Sequence, residues 1–70
     1  MDMVSVSSSQ ISAIGYDAET MVAECEFSNG SLYRYKGVPM GVVDSIINAG
    51  SPGRQFAAVL KFGYEYEKIR

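Results

Sequence analysis

Arg54 has the clearest opportunity for chemistry in this chain. It follows Gly50-Ser51-Pro52-Gly53, a run of small residues that reads as a helix start, with Ser51 as N-cap and Pro52 at the first helical position. Small side chains there leave backbone N–H groups open to an anion, and a guanidinium adds a bidentate contact to a phosphate. The segment lacks the spacing of a phosphate loop, so an ordinary helix start is the competing explanation. The second group is aromatic: Tyr33 and Tyr35, like Tyr64 and Tyr66, are pairs separated by one charged residue. On a strand each pair shares a face, which suits the stacking of bases with Arg34 or Lys61 nearby. The alternative is that tyrosines fill a small core and keep their hydroxyls at its rim. The candidate ligand-binding residues are therefore Arg54, Ser51, Gly53, Tyr64, Tyr66, Lys61, Arg34 and Tyr35.

Nothing comparable points to catalysis. The chain has no histidine, the commonest general base near neutral pH, and no serine sits in a nucleophile-elbow pattern. Cys25 falls in the middle of an alternating strand on its apolar side, which suits an inert core thiol. The carboxylates are not clustered as a metal site would require, so neither a metal nor another cofactor is expected. The expectation is a binding protein and not an enzyme.

The elements that must position these residues follow from periodicity. Residues 10–16 alternate and predict a first strand, and 17–20 supply a polar turn. Residues 21–27 alternate with Met21, Ala23, Cys25 and Phe27 on one face and Val22, Glu24 and Glu26 on the other. The Ser28-Asn29-Gly30 turn then leads into residues 31–36. A two-residue Asn-Gly loop would pair Cys25 with Arg34, placing a cation on the apolar face. A three-residue loop with Gly30 left-handed at a bulge pairs Cys25 with Tyr33, Ala23 with Tyr35 and Glu24 with Arg34. A one-residue slip exchanges the faces, so burial and charge both select the second register. Val42, Val43, Ile46 and Ile47 recur at helical spacing after Pro39, predicting a first helix that ends at Ala49-Gly50. Phe56, Val59 and Leu60 mark a second helix from Pro52, stopped by Gly63. Phe62 is assigned to the core. Residues 64–67 alternate again. The predicted fold is α+β: a small antiparallel sheet of three strands, with a short fourth at the C-terminus as an option, packed against two helices.

At 70 residues the chain is one domain, 9–70, behind a loose arm over 1–8 that ends in Ser7-Ser8. A core of this size contributes only about 3–5 kcal/mol, and a single cysteine allows no internal disulfide, so homo-oligomerisation is the expected stabiliser. The free thiol fits a reducing compartment, and no stretch resembles a membrane span or signal peptide, so a cytoplasmic protein without membrane contact is expected. The net charge is −2, but residues 1–30 hold five acids and no base, whereas residues 31–70 hold six bases against three acids. Asymmetry of this kind marks a face for an anion, or simply a solvated surface.

Four segments together resemble the KTSC domain. They are Ser9-Gln10-Ile11-Ser12-Ala13-Ile14-Gly15-Tyr16-Asp17; Phe27-Ser28-Asn29-Gly30-Ser31-Leu32-Tyr33-Arg34-Tyr35 with Val38-Pro39; Ala49-Gly50-Ser51-Pro52-Gly53-Arg54-Gln55-Phe56; and Gly63-Tyr64-Glu65-Tyr66-Glu67-Lys68-Ile69. The resemblance spans about residues 8–70. It implies a stand-alone member, bacterial or phage, of a domain also found at the C-terminus of some lysyl-tRNA synthetases, a context that suggests RNA binding. After Phe56 the sequence departs from the usual pattern, with Ala57 at a position often polar in relatives and Lys61 near a common Arg. Three functions stay open: a module for RNA or a nucleotide-type phosphorylated ligand, a phage-type homo-oligomer that sequesters a host nucleotide immune signal, and an assembly adaptor without a small ligand. The acidic balance argues against duplex DNA, whose binding rests on many phosphate contacts.

Overall fold

The computed structural model describes residues 3–6 and 8–70 of the chain. Its elements are β1 (Met3–Ser5), β2 (Ile11–Asp17), β3 (Val22–Phe27), β4 (Leu32–Tyr35), α1 (Met40–Ile47), α2 (Pro52–Val59) and β5 (Tyr66–Lys68). The strands form one antiparallel sheet in the order β1-β2-β3-β4-β5. Five strands replace the three or four expected. The additional one is β1, drawn from the segment expected to be a loose arm; Met1, Asp2 and Ser7 of that segment lie outside the described residues. Both edge strands, β1 and β5, are exposed throughout and are held by backbone pairing.

The β3–β4 hairpin has the register selected by burial and charge, with Ala23 opposite Tyr35, Glu24 opposite Arg34 and Cys25 opposite Tyr33. Three residues, 28–30, make the loop, closed by Phe27 N–H to Ser31 O at 2.8 Å and Gly30 N–H to Phe27 O at 2.9 Å. Gly30 has φ +91°, a conformation that L side chains disfavour. In β2 simple alternation fails. Ile11 and Ile14 are both fully buried, although residues three apart on a regular strand face opposite ways. A register shift between Ile11 and Ala13 resolves the conflict, because the extra residue, Ser12, restores the parity. Met21 also departs from its expected apolar face: it is 41% exposed, with φ 56°, and serves the turn into β3.

Both helices pack on the same side of the sheet, here called the front. Val43 and Ile46 of α1 join Phe56 and Leu60 to bury Ile11, Ile14, Ala23 and Cys25. The start of α2 at Pro52, with Ser51 as N-cap, matches the sequence signal, although the Ser51 side chain makes no capping bond. Tyr16 ties β2 to the segment before α1 through a hydroxyl that donates to Val38 O at 2.6 Å. Phe62 is not core. It is 78% exposed beyond the end of α2, beside Gly63 at φ +104°. No helix among the described residues is long and apolar enough to cross a membrane.

Candidate functional site

Register decides which side chains reach the front of the sheet. The rows Tyr16–Ala23–Tyr35–Tyr66 and Ile14–Cys25–Tyr33–Lys68 run across it. Where α2 meets the β4–β5 end, these rows leave an open cleft of about 620 Å³. Five rings make its floor and touch in a closed circuit. Phe27 meets Tyr33 at 5.5 Å between centroids, Tyr33 meets Tyr66 at 5.9 Å, Tyr66 meets Tyr35 at 5.7 Å, Tyr35 meets Phe56 at 5.7 Å, and Phe56 returns to Phe27 at 5.4 Å. Contacts at these separations, edge-on or tilted, are the favourable ones for aromatic pairs. The floor is built partly from the core, since Tyr35 and Phe56 are buried, whereas Tyr66 is 59% exposed. Polar side chains of Ser9, Gln10, Ser28 and Asn29 stand around it, with Lys61 and Phe62 also lining the opening.

A second cleft of about 480 Å³ adjoins the first and shares Ser9, Gln10 and Ala57 with it. It is polar and holds Arg54, Ser51 and Gly53 at the start of α2. Arg54, Ala57 and Lys61 follow helical spacing, so the two clefts lie along one side of α2 and its end. A Cβ built on Gly53 would stand 3.0 Å from Gln10 Oε1 and 3.2 Å from Ser8 Oγ. Gly53 thus lets the side chains of Ser8 and Gln10 lie close against α2, and a larger residue would oblige them to shift. Among the described residues no carboxylate lines either cleft.

The eight sequence candidates are thus divided. Tyr35, Tyr66 and Lys61 come together in the aromatic cleft, and Arg54, Ser51 and Gly53 in the polar one. Tyr64 is half-buried against the core and lines neither. Arg34 is on the opposite side of the sheet. Its Nε donates to Glu24 Oε2 at 2.9 Å, and its NH1 lies 3.9 Å from Glu67. Strand alternation forces that result, because Arg34 sits between Tyr33 and Tyr35. Arg70 is held on Glu26 at 2.7 Å in the same way. Sequence reasoning missed Phe27, Phe62, Gln10 and Asn29 as lining residues.

Among the described residues two groups have shifted titration. Burial pushes the Cys25 thiol up to about 12, so the thiolate that a nucleophile requires is disfavoured. Burial, then the neighbouring Cys25, Tyr33 and Tyr66, push the Tyr35 hydroxyl up to about 12. The Tyr35 hydroxyl in the cleft floor therefore stays protonated through the physiological range.

A protein of Stutzerimonas stutzeri (strain A1501), described only as uncharacterized, is 46% identical over 70 residues, covering 99% of each chain. A lysine–tRNA ligase of Nostoc sp. (strain PCC 7120) is 36% identical over 59 residues, which are 84% of this chain but only 10% of the ligase. The crystal structure of a KTSC domain protein from Yersinia pestis superposes with a TM-score of 0.90 at 37% identity, covering 99% of this chain and 97% of that one. A model of the KTSC domain matches residues 7–64, and this chain belongs to the KTSC domain family.

Proposed function

We propose that this chain is a non-catalytic binding module for a nucleotide unit with an accessible base, presented by single-stranded RNA or by a free nucleotide. One observation carries the proposal: a floor of five touching aromatic rings opens to solvent beside Lys61, with Arg54 in the adjoining cleft and no carboxylate among the described residues of either. Aromatic rings stack on any base, and each stack contributes about 1–3 kcal/mol. Lys61 and Arg54 supply charge for one or two phosphates at the ends of that surface. The occurrence of the domain within proteins named lysine–tRNA ligases favours an RNA partner over an unrelated small molecule. A duplex hides its base faces, and a chain of net charge −2 has too few cations to track a long backbone.

Titration of the wild-type chain with short single-stranded RNAs, mononucleotides and an RNA duplex tests this. Single strands or mononucleotides should bind and the duplex should not. Preference for oligomers over mononucleotides identifies RNA as the source. Tyr66→Ala should weaken binding about tenfold, within the contribution of one stack. Lys61→Ala should weaken it and flatten its salt dependence, by about 0.7 in the logarithmic slope for each phosphate that is no longer neutralised. Preference for the duplex, or equal affinity of wild type and Tyr66→Ala, refutes the proposal.

A further inference from the structure

Phe62 stands out because it is 78% exposed, more than any other large apolar residue described, and yet lines the aromatic cleft. A phenyl ring left in water forgoes the burial that its apolar surface favours. Its position is set by the end of α2: the helix closes at Val59, Leu60 is buried, and Gly63 at φ +104° turns the chain toward β5. Phe62 therefore sits on a short link between two fixed elements. Lys61 Nζ is 5.6 Å from its ring centroid, so charge and ring are presented together. Tyr66, the other largely exposed ring of the cleft, is already braced by Tyr33 and Tyr35 on the floor.

We infer that Phe62 and Tyr66 clamp a single unpaired nucleobase between them, with its phosphate at Lys61. This deepens the proposed function and rests on it. Tyr66 is the fixed face, and Phe62 covers the base from the link, gaining in the complex the burial it lacks in the free chain. One base is the natural load. The cleft offers two exposed rings and one cation, while Arg34 and Arg70 are engaged by carboxylates on the back of the sheet.

The test uses a trinucleotide with 2-aminopurine at its centre, whose fluorescence is quenched on stacking, and an abasic trinucleotide with the same phosphates. Wild type should quench the first on saturation and bind the second at least tenfold more weakly. Phe62→Ala should fold as wild type, since the ring is 78% exposed, and bind the 2-aminopurine probe about tenfold more weakly. Phe62→Tyr should retain affinity, whereas Phe62→Leu, apolar but not planar, should lose most of what Phe62→Ala loses. Binding by wild type with unchanged affinity in Phe62→Ala overturns the clamp and leaves the proposed function standing. Equal binding of the abasic probe overturns the base as ligand, and no binding by wild type of either probe or of any mononucleotide overturns clamp and function together.

Discussion

The hairpin loop that sets the faces of Tyr33 and Tyr35 predicts opposite outcomes for two glycine-to-alanine substitutions. Gly30 has φ +91°, and a Cβ there would meet nothing within 4 Å, so the cost of Gly30→Ala is conformational and not steric. An L residue in left-handed backbone costs about 1–2 kcal/mol, and +91° lies beyond the optimum near +57°, which favours the upper part of that range. Alanine also narrows the unfolded ensemble, returning about 0.4–1 kcal/mol. The net is a loss of about 1 kcal/mol. Gly41, in the first turn of α1, has ordinary backbone angles and equally open space. Gly41→Ala therefore keeps only the favourable term, about 0.4–1 kcal/mol. For a domain of 60–100 residues each kcal/mol moves the melting midpoint by about 4–8 °C. Urea and thermal unfolding should thus place Gly30→Ala below wild type and Gly41→Ala above it. A Gly30→Ala midpoint at or above wild type would show that the loop is not the bulged three-residue form. The register that turns Tyr33 and Tyr35 to the front would then lose its support.

Alkali should destabilise the fold. Cys25 is raised from 9.0 to about 12 and Tyr35 from 10.0 to about 12. A raised folded value contributes stability that is full below the unfolded value and is lost as pH climbs toward the folded one. The stability obtained from urea unfolding should accordingly fall from pH 9 upward for Cys25 and from pH 10 for Tyr35, by at most about 1.4 kcal/mol per pH unit for each group. Cys25→Ala should remove the part that begins at pH 9, and a wild-type midpoint flat to pH 11 refutes the assignment. On the back of the sheet, Arg34→Ala should cost less than about 1 kcal/mol, because its pair with Glu24 is partly exposed. It should leave ligand affinity unchanged within twofold; a tenfold loss would place Arg34 in the site after all.

Much of the fold was legible because separate signals agreed. The hairpin register satisfied burial of Ala23 and Cys25 and pairing of Glu24 with Arg34 at once. The same register also put Arg34 behind the sheet, so its inclusion among the ligand residues contradicted information already present. Phe62 lies past the last helical residue, Val59, so the stripe of Phe56, Val59 and Leu60 does not carry it into the core. By contrast β1 carries no burial pattern, because Met3, Val4 and Ser5 are all exposed. Its pairing with residues 13–15 rests on backbone hydrogen bonds that any side chains would permit. Ser12 hid its bulge for a related reason: the extra residue shows only as a break in parity between Ile11 and Ile14. Phe27 and Phe56 escaped as site residues because rings that belong to the core also form the wall of the cleft.

An acidic chain can still offer clefts with no carboxylate among their described lining residues, because three of its acids face the other side of the sheet. Glu24, Glu26 and Glu67 lie on the back, where Arg34 and Arg70 already neutralise much of their field. The front, where the helices pack, holds Lys61 and Arg54 in the two clefts and Lys68 on the same face as Tyr66. A phosphate at Lys61 would respond chiefly to the cation it touches, because the acids behind the sheet are already paired and charge felt at longer range is screened by salt. The net charge of −2 governs what reaches the molecule from afar, so association gains little steering, and affinity must come from short-range contacts. For the nucleotide unit proposed above those contacts would be aromatic, and the expected outcome is discrimination by the base with a shallow dependence on salt.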